Sequence, residues 1–86
     1  MENQLEAEIR DFIQLELLFD RKGVRVGFDD RLLESKIIDS MAVVQLVSHL
    51  EENYGVSIDD EELTLDNFQT IRQIAGLVRR KLSPRS

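Results

Sequence analysis

The stretch from Ser40 to Tyr54 constrains this chain most. Val43, Leu46, Val47, Leu50 and Tyr54 recur there at spacings of three and four. That is the period of a helix, and it puts the five apolar side chains on one face. Asp39, just before the run, is a good N-cap residue, and its carboxylate suits the positive end of a helix dipole. Gly55 follows the run at the C′ position, where glycine enters the left-handed region cheaply. A single apolar face must be covered by other elements, so this helix cannot stand alone.

The flanking segments supply the cover. Residues 2–19 carry Leu5, Ile9, Phe12, Ile13 and Leu17 on one helical stripe, with Glu6, Glu8, Arg10, Asp11 and Glu16 largely off it. The pattern degenerates at Leu17-Leu18-Phe19, where the first helix should end. Asp20 to Glu34 reads as a long connection, punctuated by Gly23 and Gly27 with a turn at Asp29-Asp30. Val24, Val26, Phe28, Leu32 and Leu33 anchor it to the core, and a strand at 24–28 would find no partner. After Gly55, Val56 and Ile58 return the chain to the core. Asp59 to Leu63 reads as a short acidic helix, with Leu63, Leu65 and Phe68 packing inward. Thr70-Ile71-Arg72-Gln73 has the form of a capping box. It opens a last helix with the stripe Ile71, Ile74, Ala75, Val78 and Leu82, with Arg79, Arg80 and Lys81 in its last turn and a stop at Ser83-Pro84. The expected fold is all-α: a small four-helix bundle of three longer helices and one short one, with a long first loop. Residues 1–86 form one domain, with 83–86 as a flexible tail.

Size and charge narrow the function. A chain of 86 residues has a small core and no room for a deep active-site cavity. It has no cysteine, hence no disulfide framework and no thiolate zinc site. No apolar run approaches the roughly 18 residues of a membrane span. The opening Met1-Glu2-Asn3-Gln4 lacks the features of a signal peptide, which points to a cytoplasmic protein. The net charge is −6, and it is unevenly spread: from Ile37 to Ile71 there are eight acids and no Lys or Arg. Such a surface repels nucleic acids and anionic membranes, and it steers a cationic protein partner. It also keeps a small domain soluble.

Catalytic constellations fail. Ser40 has no local base: His49 lies nine residues on, about 900° around a helix and about 13–14 Å along it, so on the opposite side. His49 reads as an exposed helix residue. Asp59-Asp60-Glu61-Glu62 does not make a helix-loop-helix calcium site, because glycine and glutamate are missing from its sixth and twelfth positions in either register. Ser40 itself reads in two ways. It can be a polar residue at a helix start, or a surface hydroxyl at a positive helix end, where backbone N–H groups and the dipole favour a phosphate joined to its oxygen.

With these residues in hand, the chain resembles an acyl carrier protein. That family marks its modified serine with Asp-Ser-Leu at the start of the second helix, and Asp39-Ser40-Met41 occupies the place here. The similarity extends over nearly the whole chain and includes the ending Glu51-Glu52-Asn53-Tyr54-Gly55-Val56-Ser57-Ile58. The resemblance implies that a phosphopantetheinyl transferase moves 4′-phosphopantetheine from coenzyme A onto Ser40, with Asp39 in a supporting role. The arm's thiol would then hold an acyl or aminoacyl group as a thioester, which makes sense of a chain without cysteine. It implies a carrier and not an enzyme, a monomer served by an activating ligase and by downstream transferase, synthase or tailoring enzymes. Met41, Val44, Gln45, Glu51 and Glu52 would bind those partners in transient contacts.

The chain departs from the family pattern in places. Ile37 stands where many members have glycine, Met41 where they have leucine, and Ala42 and Gln45 where fatty-acid carriers are often acidic. The stretch Ile37 to Leu46 is similar to D-alanyl and free-standing aminoacyl carriers, with a specialised acyl or polyketide carrier as the other reading. Outside the family, the alternative is a non-enzymatic acidic helical adaptor in which Ser40 is a simple helix cap. A hydrolase using Ser40 would lack a base.

Overall fold

The computed structural model describes residues 4–20, 23 and 25–82. The anchor at Val24, the stop at Ser83-Pro84 and the tail 83–86 lie outside the described residues. The fold is all-α with no strand among those residues: α1 (Gln4–Phe12), α2 (Ser40–Tyr54), α3 (Leu65–Phe68) and α4 (Ile71–Leu82). The short helix differs from the sequence reading. Its acidic part, Asp60–Glu62, is a 3-10 turn, and α3 is a separate single turn after it.

The first helix does not stay α-helical to its end. Ile13–Leu17 forms a π turn, and the Leu18 amide donates to the Ile13 carbonyl five residues back at 2.9 Å. The wide turn changes which side chain faces inward. Ile9, Ile13 and Leu18 are buried, at spacings of four and then five, and Leu17 is only half-buried. An unbroken α-helix would have placed Leu17 in the core.

α2 begins and ends as its flanking residues dictate. The Asp39 carboxylate accepts the Ala42 N–H at 2.9 Å, and Gly55 takes φ 68° while its N–H reaches the Glu51 carbonyl. Leu46 and Leu50 are fully buried, whereas Val43, Val47 and Tyr54 are half-buried flanks of that line. α4 is capped reciprocally: the Gln73 N–H donates to Thr70 Oγ1 and the Thr70 N–H to Gln73 Oε1, both at 3.1 Å. Ile71, Ile74, Ala75 and Val78 are buried as their spacing predicts. Leu77 joins them because α4 packs on α1, α2 and α3 at once, which widens its buried face. Leu82, the last residue of the helix, is exposed, as are Leu63 and Leu65. One helical turn can turn only Phe68 fully into the core.

Two polar links tie α1 to its neighbours. Glu6 is buried on the inner face of α1, not off it, and Arg79 of α4 donates two hydrogen bonds to its carboxylate at 2.7 and 2.8 Å. The Tyr54 hydroxyl donates to Glu8 at 2.5 Å. Burial and that carboxylate raise the tyrosine's pKa beyond its ordinary range.

The Glu6 carboxyl is held below the ordinary glutamate range, chiefly by the Arg79 hydrogen bonds. A carboxyl whose pKa falls on folding stabilises the protein fully above its unfolded value, about 4.3. That stabilisation is lost as pH falls through the lower folded value. Glu6→Gln should therefore lower the urea midpoint at neutral pH and flatten its decline in acid. Parallel pH profiles for the two proteins would contradict the link.

Candidate functional site

The first residue of α2 is Ser40, and its side chain is exposed. Its hydroxyl makes no hydrogen bond to any described residue, because Asp39 already supplies the cap. Asp39 has extended backbone (φ −113°, ψ −174°) and turns the chain into the helix. Serine is therefore not needed here as a cap, and its oxygen is left open to solvent.

The loop before the site is pinned by the junction of α3 and α4. The Leu32 N–H donates to the Gln69 carbonyl at 2.7 Å, and Gln69 Oε1 accepts from the Leu33 and Glu34 amides at 3.1 and 3.0 Å. The Arg72 N–H donates to the Phe28 carbonyl, and its guanidinium pairs in bidentate fashion with Asp29 at 2.9 and 3.1 Å. The Phe28 ring lies between the guanidinium groups of Arg10 and Arg72, 5.3 and 5.7 Å from its centre. Val26 and Leu32 are buried, and Phe28 and Leu33 half-buried, so the loop packs on the core as its apolar residues predict.

Beside Ser40 opens a cavity of about 330 Å³ between α2 and α3. Leu33, Val43, Val44, Leu63, Leu65 and Phe68 line it, with only Ser40 and Thr64 contributing hydroxyls and no charged side chain. The far wall is tethered at several points. Glu51 accepts the Ile58 N–H at 2.9 Å, Glu62 pairs with Lys81 at 2.6 Å, and Asn67 donates to the Glu62 carbonyl. The exposure of Leu63 and Leu65 was invisible in the sequence, although two leucines flanking one threonine in an acidic stretch are a trace of this wall.

The other singled-out residues divide into groups. Met41 and Val44 project into solvent, 71% and 58% exposed, and Gln45 and Glu52 are exposed beside them. Glu51 is half-buried and its carboxylate is engaged on Ile58. His49 is not the exposed residue the sequence suggests: its ring stacks on Phe12 with centroids 3.8 Å apart, which half-buries it against α1. It lines the opposite flank of α2 from the Ser40 cavity, so no imidazole serves Ser40. No group of three or more His, Asp or Glu residues among those described can hold a metal ion. No described helix is long and apolar enough to cross a membrane.

An exposed, unengaged hydroxyl at a helix start, next to an apolar cavity and without a base, fits a covalently attached group and not a self-acting nucleophile. Comparison with known proteins agrees. Residues 5–78 match the family described as "Phosphopantetheine attachment site". The "Probable acyl carrier protein PigG" of Serratia sp. is 33% identical over 78 residues, covering 88% of this chain and 86% of that protein. The "Anthracycline acyl carrier protein DauA" of Streptomyces sp. is 35% identical over 57 residues, covering 66% of this chain and 68% of that protein. The "D-alanyl carrier protein" of Abiotrophia defectiva is 26% identical over 69 residues, covering 80% and 87%. The chain belongs to the acyl carrier protein family, whose members are carriers with a 4′-phosphopantetheine prosthetic group.

The cap generates a prediction. Asp39→Ala removes the acceptor of the Ala42 N–H and should cost about 1 kcal/mol in chemical denaturation. Asp39→Asn keeps the acceptor and should cost much less. Equal losses for the two variants would mean that the charge of Asp39, not the hydrogen bond, stabilises the start of α2.

Proposed function

We propose that Ser40 Oγ is the attachment point of the phosphopantetheine arm and that the protein delivers an acyl group between enzymes of a biosynthetic pathway. The observation that carries this reading is the free hydroxyl of Ser40 at the rim of an apolar cavity. In the attachment step, the Ser40 oxygen bonds to phosphorus as the pyrophosphate link of coenzyme A breaks. Adenosine bisphosphate leaves, and the hydroxyl proton passes to a base of the transferase. Once in place, the arm supplies the thiol on which cargo travels as a thioester.

The remaining residues divide the work. Asp39 holds the helix start rigid through Ala42 and adds a carboxylate next to the modified oxygen. Met41 and Val44 offer apolar contacts to a partner, with Gln45 and Glu52 as polar neighbours. Glu51 contributes its charge to this surface while its carboxylate holds Ile58. Transient contact with a transferase, an activating ligase and downstream enzymes suits so small a surface, and the acidic stretch speeds encounter with basic faces.

The cavity bears on cargo. Its apolar lining supports an apolar acyl chain, which loses contact with water there. It gives no acid to meet the ammonium group of an aminoacyl thioester. The likeness of residues 37–46 to aminoacyl carriers, and the D-alanyl relative, support the second reading.

Two measurements test these statements. Incubation with coenzyme A and a promiscuous phosphopantetheinyl transferase should add the mass of one phosphopantetheine, and Ser40→Ala should add none. An unchanged wild-type mass with several transferases would return Ser40 to the role of a surface residue on an adaptor. The modified protein loaded with a medium-length acyl chain should then melt higher than the same protein loaded with D-alanine. The opposite order would favour the aminoacyl cargo.

A further inference from the structure

The π turn at the end of α1 leaves an apolar surface that the proposed role of Ser40 does not use. With Leu18 drawn into the core by its bond to Ile13, Leu15 and Phe19 face solvent at 68% and 71% exposure. They are as exposed as Met41 and Val44 on α2. They stand four residues apart, about one turn, so both belong to this end of α1. π turns are rare, their hydrogen-bond geometry is unfavourable, and they concentrate at functional sites. A continuous α-helix with Leu17 in the core would have packed this sequence without the distortion.

Next to Leu15 a cavity of about 380 Å³ runs between α1 and α2, on the opposite flank of α2 from the Ser40 cavity. The stacked rings of Phe12 and His49 form part of its wall. Glu8, Asp11 and Glu16 bring three carboxylates to it, and no Lys or Arg lines it. Glu8 is engaged by Tyr54, and Asp11 has only a long contact of 3.7 Å with Arg10. Glu16 forms no ion pair with any described residue. The surface is thus two large apolar side chains beside an acidic slot. It adjoins the approach to Ser40, because Leu17 and Leu18 meet Ile37, Ile38, Asp39 and Ala42 around a smaller cavity of about 190 Å³.

We propose that this end of α1 is a second docking surface, distinct from Met41 and Val44, for a partner protein that presents a basic amphipathic element. Apolar residues of that element cover Leu15 and Phe19, and one of its Lys or Arg side chains enters the slot between α1 and α2. Charge complementarity selects this occupant. A second copy of this chain, with its net charge of −6, would bring acid against acid, and an anionic membrane would be repelled in the same way. The surface is independent of whether Ser40 carries the arm.

The test is a heteronuclear NMR titration of the full-length, unmodified chain with two synthetic helical peptides, one amphipathic in Leu and Lys and one in Leu and Glu. The Leu/Lys peptide should shift the amides of Leu15, Glu16, Phe19, His49 and Asn53, and the Leu/Glu peptide should shift none of them. Leu15→Ser combined with Phe19→Ser should weaken Leu/Lys binding by at least about tenfold, the scale expected for losing apolar anchors. Both side chains are exposed, so the double variant should keep the native spectrum and melting temperature. Glu16→Lys, a second variant, should weaken binding without touching the apolar pair. Shifts spread evenly over Glu52 and residues 59–62, with undiminished binding by the double variant, would overturn the proposal as general charge attraction. A dimer in sedimentation velocity that the double variant dissolves would overturn it in favour of a second copy.

Discussion

The described residues between the π turn and α2 form no regular element, yet they must bring the chain to one point at one angle. Backbone amides in such a segment need partners once packed against a core. Gln69 provides them. Its carbonyl takes the Leu32 amide, and its side-chain oxygen takes the next two. Leu32, so fixed and buried, accepts the amides of Ile37 and Ile38 in turn, closing a turn in which Lys36 adopts a left-handed φ of 58°. Asp39 follows directly as the cap of α2. The position of Ser40 is therefore set at the junction of α3 and α4, about thirty residues further along the chain, and not by its neighbours in sequence. Arg72 reinforces the same junction through Phe28 and Asp29.

Local signals in the sequence proved reliable where one residue acts on its own backbone. Asp39 as cap, Gly55 as left-handed terminator and the Thr70–Gln73 box all depend on contacts within four residues, and all are present. What could not be read were features decided by distant packing. The periodicity of α1 gives no warning of the π turn, because Leu17 and Leu18 are chemically alike and only the rest of the core chooses between them. Glu6 looks like a solvent residue until Arg79, brought alongside by α4, supplies the charge that makes its burial tolerable. Leu63 and Leu65 look like core residues, and they face a cavity instead because the turn that carries them is too short to bury three side chains. Gln69 gave no sequence signal for its role.

α2 is consequently used on more than one side. Leu46 and Leu50 hold it to the bundle, and one flank joins α3 around an apolar cavity that reaches Ser40. Met41 and Val44 lie open to solvent, and the opposite flank meets α1 around an acidic slot. A carrier has to be recognised by several enzymes while its own fold stays fixed. Separate surfaces around one rigid helix meet that demand without any catalytic group in the chain. The bidentate Glu6–Arg79 link and the Glu62–Lys81 pair keep the surrounding helices in place.

The claim at the centre of this account is that the modified oxygen belongs to Ser40 and to no other serine. Tandem mass spectrometry of the transferase-treated protein measures this directly, by locating the peptide that releases the phosphopantetheine fragment. The account predicts that the modified peptide contains Ser40 and that fragmentation assigns the group to that residue. Assignment to Ser35, Ser48 or Ser57 would contradict it, since the geometry around α2 would then have no bearing on attachment.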